Sequence, residues 1–202
     1  MTMDAAATHT PPMHLSQASY TGIGSAADAA QLSHEHLADR LPRRWAHTQG
    51  VARTTAMLAA TAPLTECERT LLVVAAWYHD IGYAHPCAYH WHPLDGALLL
   101  RTWELDPVAD LVAWHTTAAE EAPLVGHDTT LAGWTRPSGL VADLLTYADM
   151  TTSPDGHPVT FEQRRDEIRH RHHATSTAAT AMDAAWSRLV GIRERVATYD
   201  TR

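Results

Sequence analysis

At 202 residues the chain is long enough to bury one core, and 45% hydrophobic against 19% charged residues is ordinary globular composition. A net charge of −8 with neutral histidines disfavours long-range attraction to DNA, RNA or an anionic membrane, although a metal site inverts the field locally for a small anion. No stretch approaches the ~20 apolar residues of a membrane span. No basic-then-apolar leader opens the chain, and Cys67 and Cys87 make neither a CxxC pair nor a disulfide framework. The expected setting is the cytoplasm. Lysine and asparagine are absent, so all 15 basic residues are arginine, which reads as coding bias and not as a phosphate-binding design.

Residues 1–26 are rich in Ala, Thr, Pro, Ser and Gly without hydrophobic periodicity, which predicts a flexible arm ahead of a helical domain over 27–202. Ser25-Ala-Ala-Asp28 can cap a first helix to about Arg40, and Pro42 ends it or starts the next. A second helix over 43–61 puts Trp45, Val51, Thr55 and Leu58 near one face, and His47, one turn before Val51, shares that face. Thr65-Glu-Cys-Glu68 is a capping-box pattern opening a helix that ends at His79-Asp80. Residues 81–91, with Gly82 and Pro86, read as a loop; a helix then starts near Pro93 and carries residues 97–100.

A further helix is expected over 107–117, with Leu111 and His115 one turn apart. Gly126, Gly133 and mixed polarity argue for an irregular segment over 118–136. Ser138 can cap a helix over 139–150, where Leu145 carries Asp149 inward with the apolar stripe. Residues 152–156 form a turn, and Thr160-Phe-Glu-Gln163 is a second capping box, opening a charged helix to about His172. A last helix over 176–198 has Ala181, Ala185, Leu189 and Ile192 in helical spacing. No strand and no internal repeat is evident, so the expected fold class is all-α.

The chemistry concentrates at His79 and Asp80, an imidazole and a carboxylate delivered side by side by an apolar run. A helix C-terminus is an unfavourable place for an acid, and a buried carboxylate needs a cation, a donor or a metal. The bland alternative has His79 complementing the dipole and Asp80 capping the next turn. His47 and Asp149 lie on inward faces of other helices and extend the pair to a set of N and O donors suited to a divalent transition metal. Nine other histidines (His9, His14, His34, His36, His127, His157, His170, His172 and His173) sit in polar surroundings and read as solvent-facing.

The order His47…His79-Asp80…Asp149 resembles the HD-domain superfamily of metal-dependent phosphohydrolases, in its small single-domain form, over roughly residues 40–175. His92-Pro93-Leu94-Asp95-Gly96-Ala97 and Trp114-His115-Thr116-Thr117 resemble the extra histidine stations of relatives that hold two metals. The resemblance implies an HD helical bundle with His47, His79, Asp80 and Asp149 as core ligands, His92 and His115 completing a second metal, and Asp80 bridging. His85 and His90 stand close in sequence as alternatives to His92. The implied cofactor is one or two divalent ions per chain, with iron, manganese, cobalt or nickel ahead of magnesium for this donor set.

The implied reaction is hydrolysis of a phosphate ester or anhydride, in a nucleotide or other small phosphorylated metabolite, by a metal-activated water, with His79 and Asp80 at its centre. A mixed-valence di-iron oxygenase and a non-catalytic nucleotide-binding regulator are the alternatives. The expected partner is therefore a small phosphorylated molecule, with no nucleic-acid polymer and no membrane. Arg43, Arg44 and Arg165 are candidate phosphate contacts; Arg164 and Arg169 share a charged face with Arg165. Asp95 is a candidate for orienting His92 or His115. Tyr83 stands where many relatives carry a lysine, and Trp91 is a candidate pocket wall.

Overall fold

The computed structural model describes residues 24–173 and 175–201, so the arm expected over 1–26 lies, up to residue 23, outside the described residues. Among the described residues every regular element is helical, and the nearest approach to a strand is an isolated bridge between Thr152 and Pro158. The all-α class expected from the sequence is what forms.

Local signals start the helices. In α1 (Ala26–Leu37) the Ser25 hydroxyl accepts the Asp28 amide at 3.1 Å. Helix α2 (Pro42–Thr61) opens on a proline, whose missing N–H would have no helical partner there. Helix α3 (Glu66–Tyr78) begins at a complete capping box: Thr65 Oγ1 accepts the Glu68 amide at 3.3 Å, and the Glu68 carboxylate accepts the Thr65 amide at 2.8 Å. Leu71, Leu72, Val74, Ala75, Ala76 and Tyr78 are buried, so α3 is apolar nearly all round and runs through the middle of the bundle. It packs on α1, α2, α5 (Asp106–Ala113) and α8 (Leu140–Met150). Each fully buried leucine stabilises by about 1.5–3 kcal/mol, so α3 cannot turn to bring Asp80 out to water without losing several such terms.

A 3-10 turn, Ile81–Ala84, links α3 to α4 (His92–Thr102), which packs on that turn and on α5. Helix α10 (Thr177–Val196), capped by Ser176, closes against α6 (Ala118–Val125), α8 and α9 (Phe161–His172). Helix α2 comes so close to the 152–156 turn that a Cβ on Gly50 would lie 2.6 Å from Thr152 Cγ2 and 2.7 Å from the Gly156 carbonyl oxygen. That approach presents His47 to the end of α8. No helix of the described residues is long and apolar enough to cross a membrane.

Several boundaries differ from expectation. Helix α5 stops at Ala113 and Thr116 takes φ 49°, so His115 has left the helix and is not one turn from Leu111. The segment 118–136 is not irregular throughout; it holds α6 and the short α7 (Asp128–Leu131). Glu120 and Glu121 complement the α6 dipole, Ala118 and Ala122 give it a buried stripe, and Gly126 ends it at φ 78°. Ser138 does not cap α8: Gly139 occupies that place at φ 85° with no side-chain bond. His36 pairs with His85 at 2.8 Å and His127 donates to the Tyr89 carbonyl at 2.9 Å, so neither is simply solvent-facing.

Candidate metal centre

Three buried histidines share one device. His47 Nδ1 lies 2.9 Å from the Ser153 carbonyl, His79 Nδ1 2.8 Å from that of Ala76, and His115 Nδ1 2.6 Å from that of Val112. A carbonyl only accepts, so each Nδ1 carries the hydrogen and each Nε2 turns a lone pair inward. The inward partner of His47 is a carboxylate, also an acceptor, and that of His115 is a second imidazole. His47 Nε2 stands 3.0 Å from Asp149 Oδ1, and His115 Nε2 stands 3.3 Å from His92 Nε2. His79 Nε2 is buried with no hydrogen-bond partner among the described residues. Such a cluster of facing acceptors is stable only with protons or cations between them, and the mixed N/O set suits a divalent transition metal.

Two compact groups emerge, His47–His79–Asp80 and Asp80–His92–His115, and they share Asp80. The sharing is divided by oxygen. Asp80 Oδ2 lies 3.3 Å from His79 Nε2 and 3.7 Å from His47 Nε2, whereas Oδ1 lies 3.6 Å from His92 Nε2. Asp149 touches His47 and accepts a short bond from the Thr116 hydroxyl, beside the first group and outside both compact sets. Helix ends supply nearly all of this: α3 delivers His79 and Asp80, α4 starts at His92, α5 releases His115 and α8 ends beside Asp149.

The electrostatics keep Asp80, Asp149, His92 and His115, but not His79, in their ligating forms. Burial favours protonation of Asp80, but Arg44, His79 and His47 outweigh it and hold its pKa well below the usual carboxylate range. Asp149 is held below that range too, with burial opposed by the His47 bond and charge, His79 and Arg164. Burial lowers His92 well below its ordinary value against the Asp80 charge, and lowers His115 with help from His79. His79 goes the other way: burial depresses it, but the charge of Asp80 outweighs that and its pKa rises. Anionic carboxylates and neutral imidazoles are what a metal binds.

Over the donors lies a cleft of about 360 Å³ whose walls include Arg44, Trp91, Glu121, Arg164, Arg171 and His172. Arg44 donates to Asp80 Oδ2 at 2.7 Å, and its guanidinium lies 4.0 Å from the centre of the Tyr83 ring. Tyr83 stacks on His92 as well, 4.0 Å between centroids at 15°, so the ring is sandwiched between a cation and an imidazole. Burial pushes its phenol up to about 12.

Three sequence candidates point elsewhere. Arg43 pairs with Asp155 on the surface at 2.7 Å, because the 152–156 turn comes to meet the start of α2. Arg165 is taken by Asp183 at 2.7 Å and by the Trp186 ring, both on α10. Asp95 orients neither His92 nor His115; its carboxylate accepts the amides of Ala88, Tyr89 and Trp91 and so shapes the loop before α4. Of the alternative histidines, His85 is turned to His36, and His90 lines the cleft outside both groups.

Arg164, which the sequence places on a charged face with Arg165 and Arg169, does not face solvent. It is buried, donates to Glu167 at 2.6 Å, approaches Asp149 Oδ1 at 4.0 Å and keeps an unpartnered Nε. A signal was present: Arg164 falls between Phe161 and Ile168 at helical spacing, and those are the buried residues of α9. Arg171 extends the same stripe into the cleft, 3.4 Å from Glu167. Glu121 and Thr116 had no comparable signal.

Among known families, the model of the HD domain matches residues 44–153, more than half of the chain and inclusive of every donor from His47 to Asp149. No curated protein and no solved structure gave a match. The breadth of that match, over an all-helical bundle, makes the chain a member of the HD domain family.

Proposed function

We propose that the chain is a metal-dependent phosphohydrolase acting on a small phosphorylated metabolite. One observation carries the reading: a cation-seeking His/Asp cluster and three arginines, Arg44, Arg164 and Arg171, open onto one cleft. His47, His79 and Asp80, with Asp149 alongside, would hold one ion, and Asp80, His92 and His115 a second. Bound there, divalent ions supply charge neutralisation at phosphorus and a water of lowered pKa.

The chain itself supplies binding and rigidity. Arg164 and Arg171 offer guanidinium N–H groups to non-bridging phosphate oxygens, an interaction with both charge and direction. Arg44 anchors Asp80, and the Tyr83 sandwich holds Arg44 and His92 in register. The bonds from His47, His79 and His115 to backbone carbonyls fix ring orientation before anything binds. A cleft of about 360 Å³ is small among ligand sites, which supports a compact ester over a dinucleotide polyphosphate or a polymer.

Protein purified without chelator is expected to carry about two equivalents of iron, manganese, cobalt or nickel per chain and to release phosphate from p-nitrophenyl phosphate. Chelation should abolish release, re-addition of those ions should restore it, and exclusion of oxygen should leave it unchanged. A single equivalent removes His92 and His115 from the ligand set, and oxygen-dependent turnover replaces this reading with the oxygenase alternative. Arg164→Ala is expected to raise KM for phosphate esters on the order of 10- to 100-fold by loss of a charged hydrogen-bond donor. Arg165→Ala, next door but facing α10, should leave kcat and KM within about twofold; steady-state kinetics on the pair decides which arginine faces substrate.

A further inference from the structure

Glu120 and Glu121 stand side by side in the first turn of α6 and meet different surroundings. Glu120 is closed by Arg188, which donates to both of its oxygens at 2.9 and 2.7 Å. Glu121 is half-buried in the wall of the cleft, and its hydrogen bond comes from the Trp91 indole N–H, 3.1 Å from Oε2. No cation among the described residues acts on it: burial pushes its carboxyl up, and the Trp91 bond opposes that.

The other carboxylates around the cleft are all answered. Asp80 has Arg44, Asp149 has His47 and Thr116, Glu167 has Arg164 and Arg171, and Asp95 has the loop amides. Asp95 lacks a counter-charge too but is held by three amides, whereas Glu121 has only the Trp91 bond and no counter-charge among the described residues, an arrangement that costs stability unless a ligand answers it. Its position is nonetheless fixed. Trp91 is 6% exposed, stacks on His127 at 5.7 Å and 24°, and gives its own amide to Asp95 at 3.1 Å. One oxygen is thus held by the indole and the other has no donor among the described residues.

We infer that Glu121 binds a protonated amine of the substrate, so that the cleft takes zwitterionic phosphate esters: phosphate toward Arg44, Arg164 and Arg171, ammonium on Glu121. The anionic end of this assignment rests on the phosphohydrolase reading. A hydroxyl would satisfy the free oxygen but leave its charge unanswered, whereas an ammonium group does both. A polyanionic ligand would be repelled at the same place, so Glu121 also selects against additional phosphate groups.

Binding tests this without turnover. The metal-loaded full chain is titrated calorimetrically with aminoalkyl phosphonates of two to four carbons and with alkyl and hydroxyalkyl phosphonates of the same lengths. The best amino ligand is expected to bind on the order of 10- to 100-fold more tightly than its alkyl counterpart. Glu121→Gln should bring that ratio to about twofold or less, with alkyl phosphonate affinity no weaker and melting temperature no lower than in the wild type. Equal or unmeasurable affinity across all lengths overturns the inference, as does a hydroxyalkyl ligand matching the amino one, or an amine preference that survives Glu121→Gln. Should the variant not fold, the wild-type ratios decide. Failure to release phosphate from p-nitrophenyl phosphate, with the amine preference intact, counts against the hydrolase reading alone.

Discussion

Asp80→Asn is expected to empty the protein of metal and to lower kcat/KM for ester hydrolysis by about a thousandfold or more. The two oxygens of Asp80 serve different groups, Oδ2 toward His79 and His47 and Oδ1 toward His92. An amide replaces one acceptor by a donor and removes the charge, so one ion would lose its Asp80 ligand and the other would keep only a neutral oxygen. Metal stabilisation of a phosphoryl transition state is worth several kcal/mol, and about 4 kcal/mol corresponds to a factor of roughly a thousand. His92→Ala strikes one group only and should leave about one ion per chain with a smaller loss of rate. In chelator the Asn variant also strands Arg44, whose side chain is 22% exposed, at a cost of roughly 1–3 kcal/mol once partial solvation is allowed for. Elemental analysis, steady-state kinetics and circular dichroism report the three effects separately. A folded variant with full activity would sink the enzymatic reading.

Gly82→Ala should lose at least about 3 kcal/mol of folding stability or fail to fold. A Cβ at this position would stand 2.0 Å from the His92 carbonyl oxygen and 2.6 Å from the Gly96 amide nitrogen, both backbone atoms. No side-chain rotation relieves such contacts; the first turn of α4 must withdraw and take His92 with it. Space is what this glycine provides. Gly126 is the contrasting case, with nothing within 4 Å of the added methyl and φ 78°, so Gly126→Ala should lose only about 1 kcal/mol through backbone strain. Urea denaturation of the two variants checks the difference, and a loss at Gly82 no larger than at Gly126 refutes the packing argument. Any Gly82→Ala protein that folds should bind its second ion more weakly than its first.

Most of the helices, and the order of the metal donors, were legible in the residues because their causes are local. Thr65 with Glu68 and Thr160 with Gln163 close capping boxes within one turn, and the apolar run into His79 specifies a buried helix whatever packs on it. The 118–136 segment reads as irregular in sequence because of its two glycines, whereas in the fold Gly126 terminates a helix begun at Ala118. The partners of charged side chains were the least legible. Arg164 and Arg165 differ by one position, about 100° around the helix; that rotation sends one into the cleft and the other to Asp183. Asp95 carries the residue type of a histidine-orienting acid, yet three loop amides that fold back over it claim both oxygens.

The sequence by itself determined which groups could bind a cation: imidazoles at His47, His79, His92 and His115 and carboxylates at Asp80 and Asp149. Tertiary structure alone decided that the two oxygens of Asp80 face different histidines, that Arg164 stands over Asp149, and that Glu121 is left without a counter-charge. Local rules operate over one or two turns of chain, whereas these relations join residues brought together only when α3 is enclosed by its neighbours. Distances between such groups are properties of the packed bundle, and no spacing along the chain encodes them.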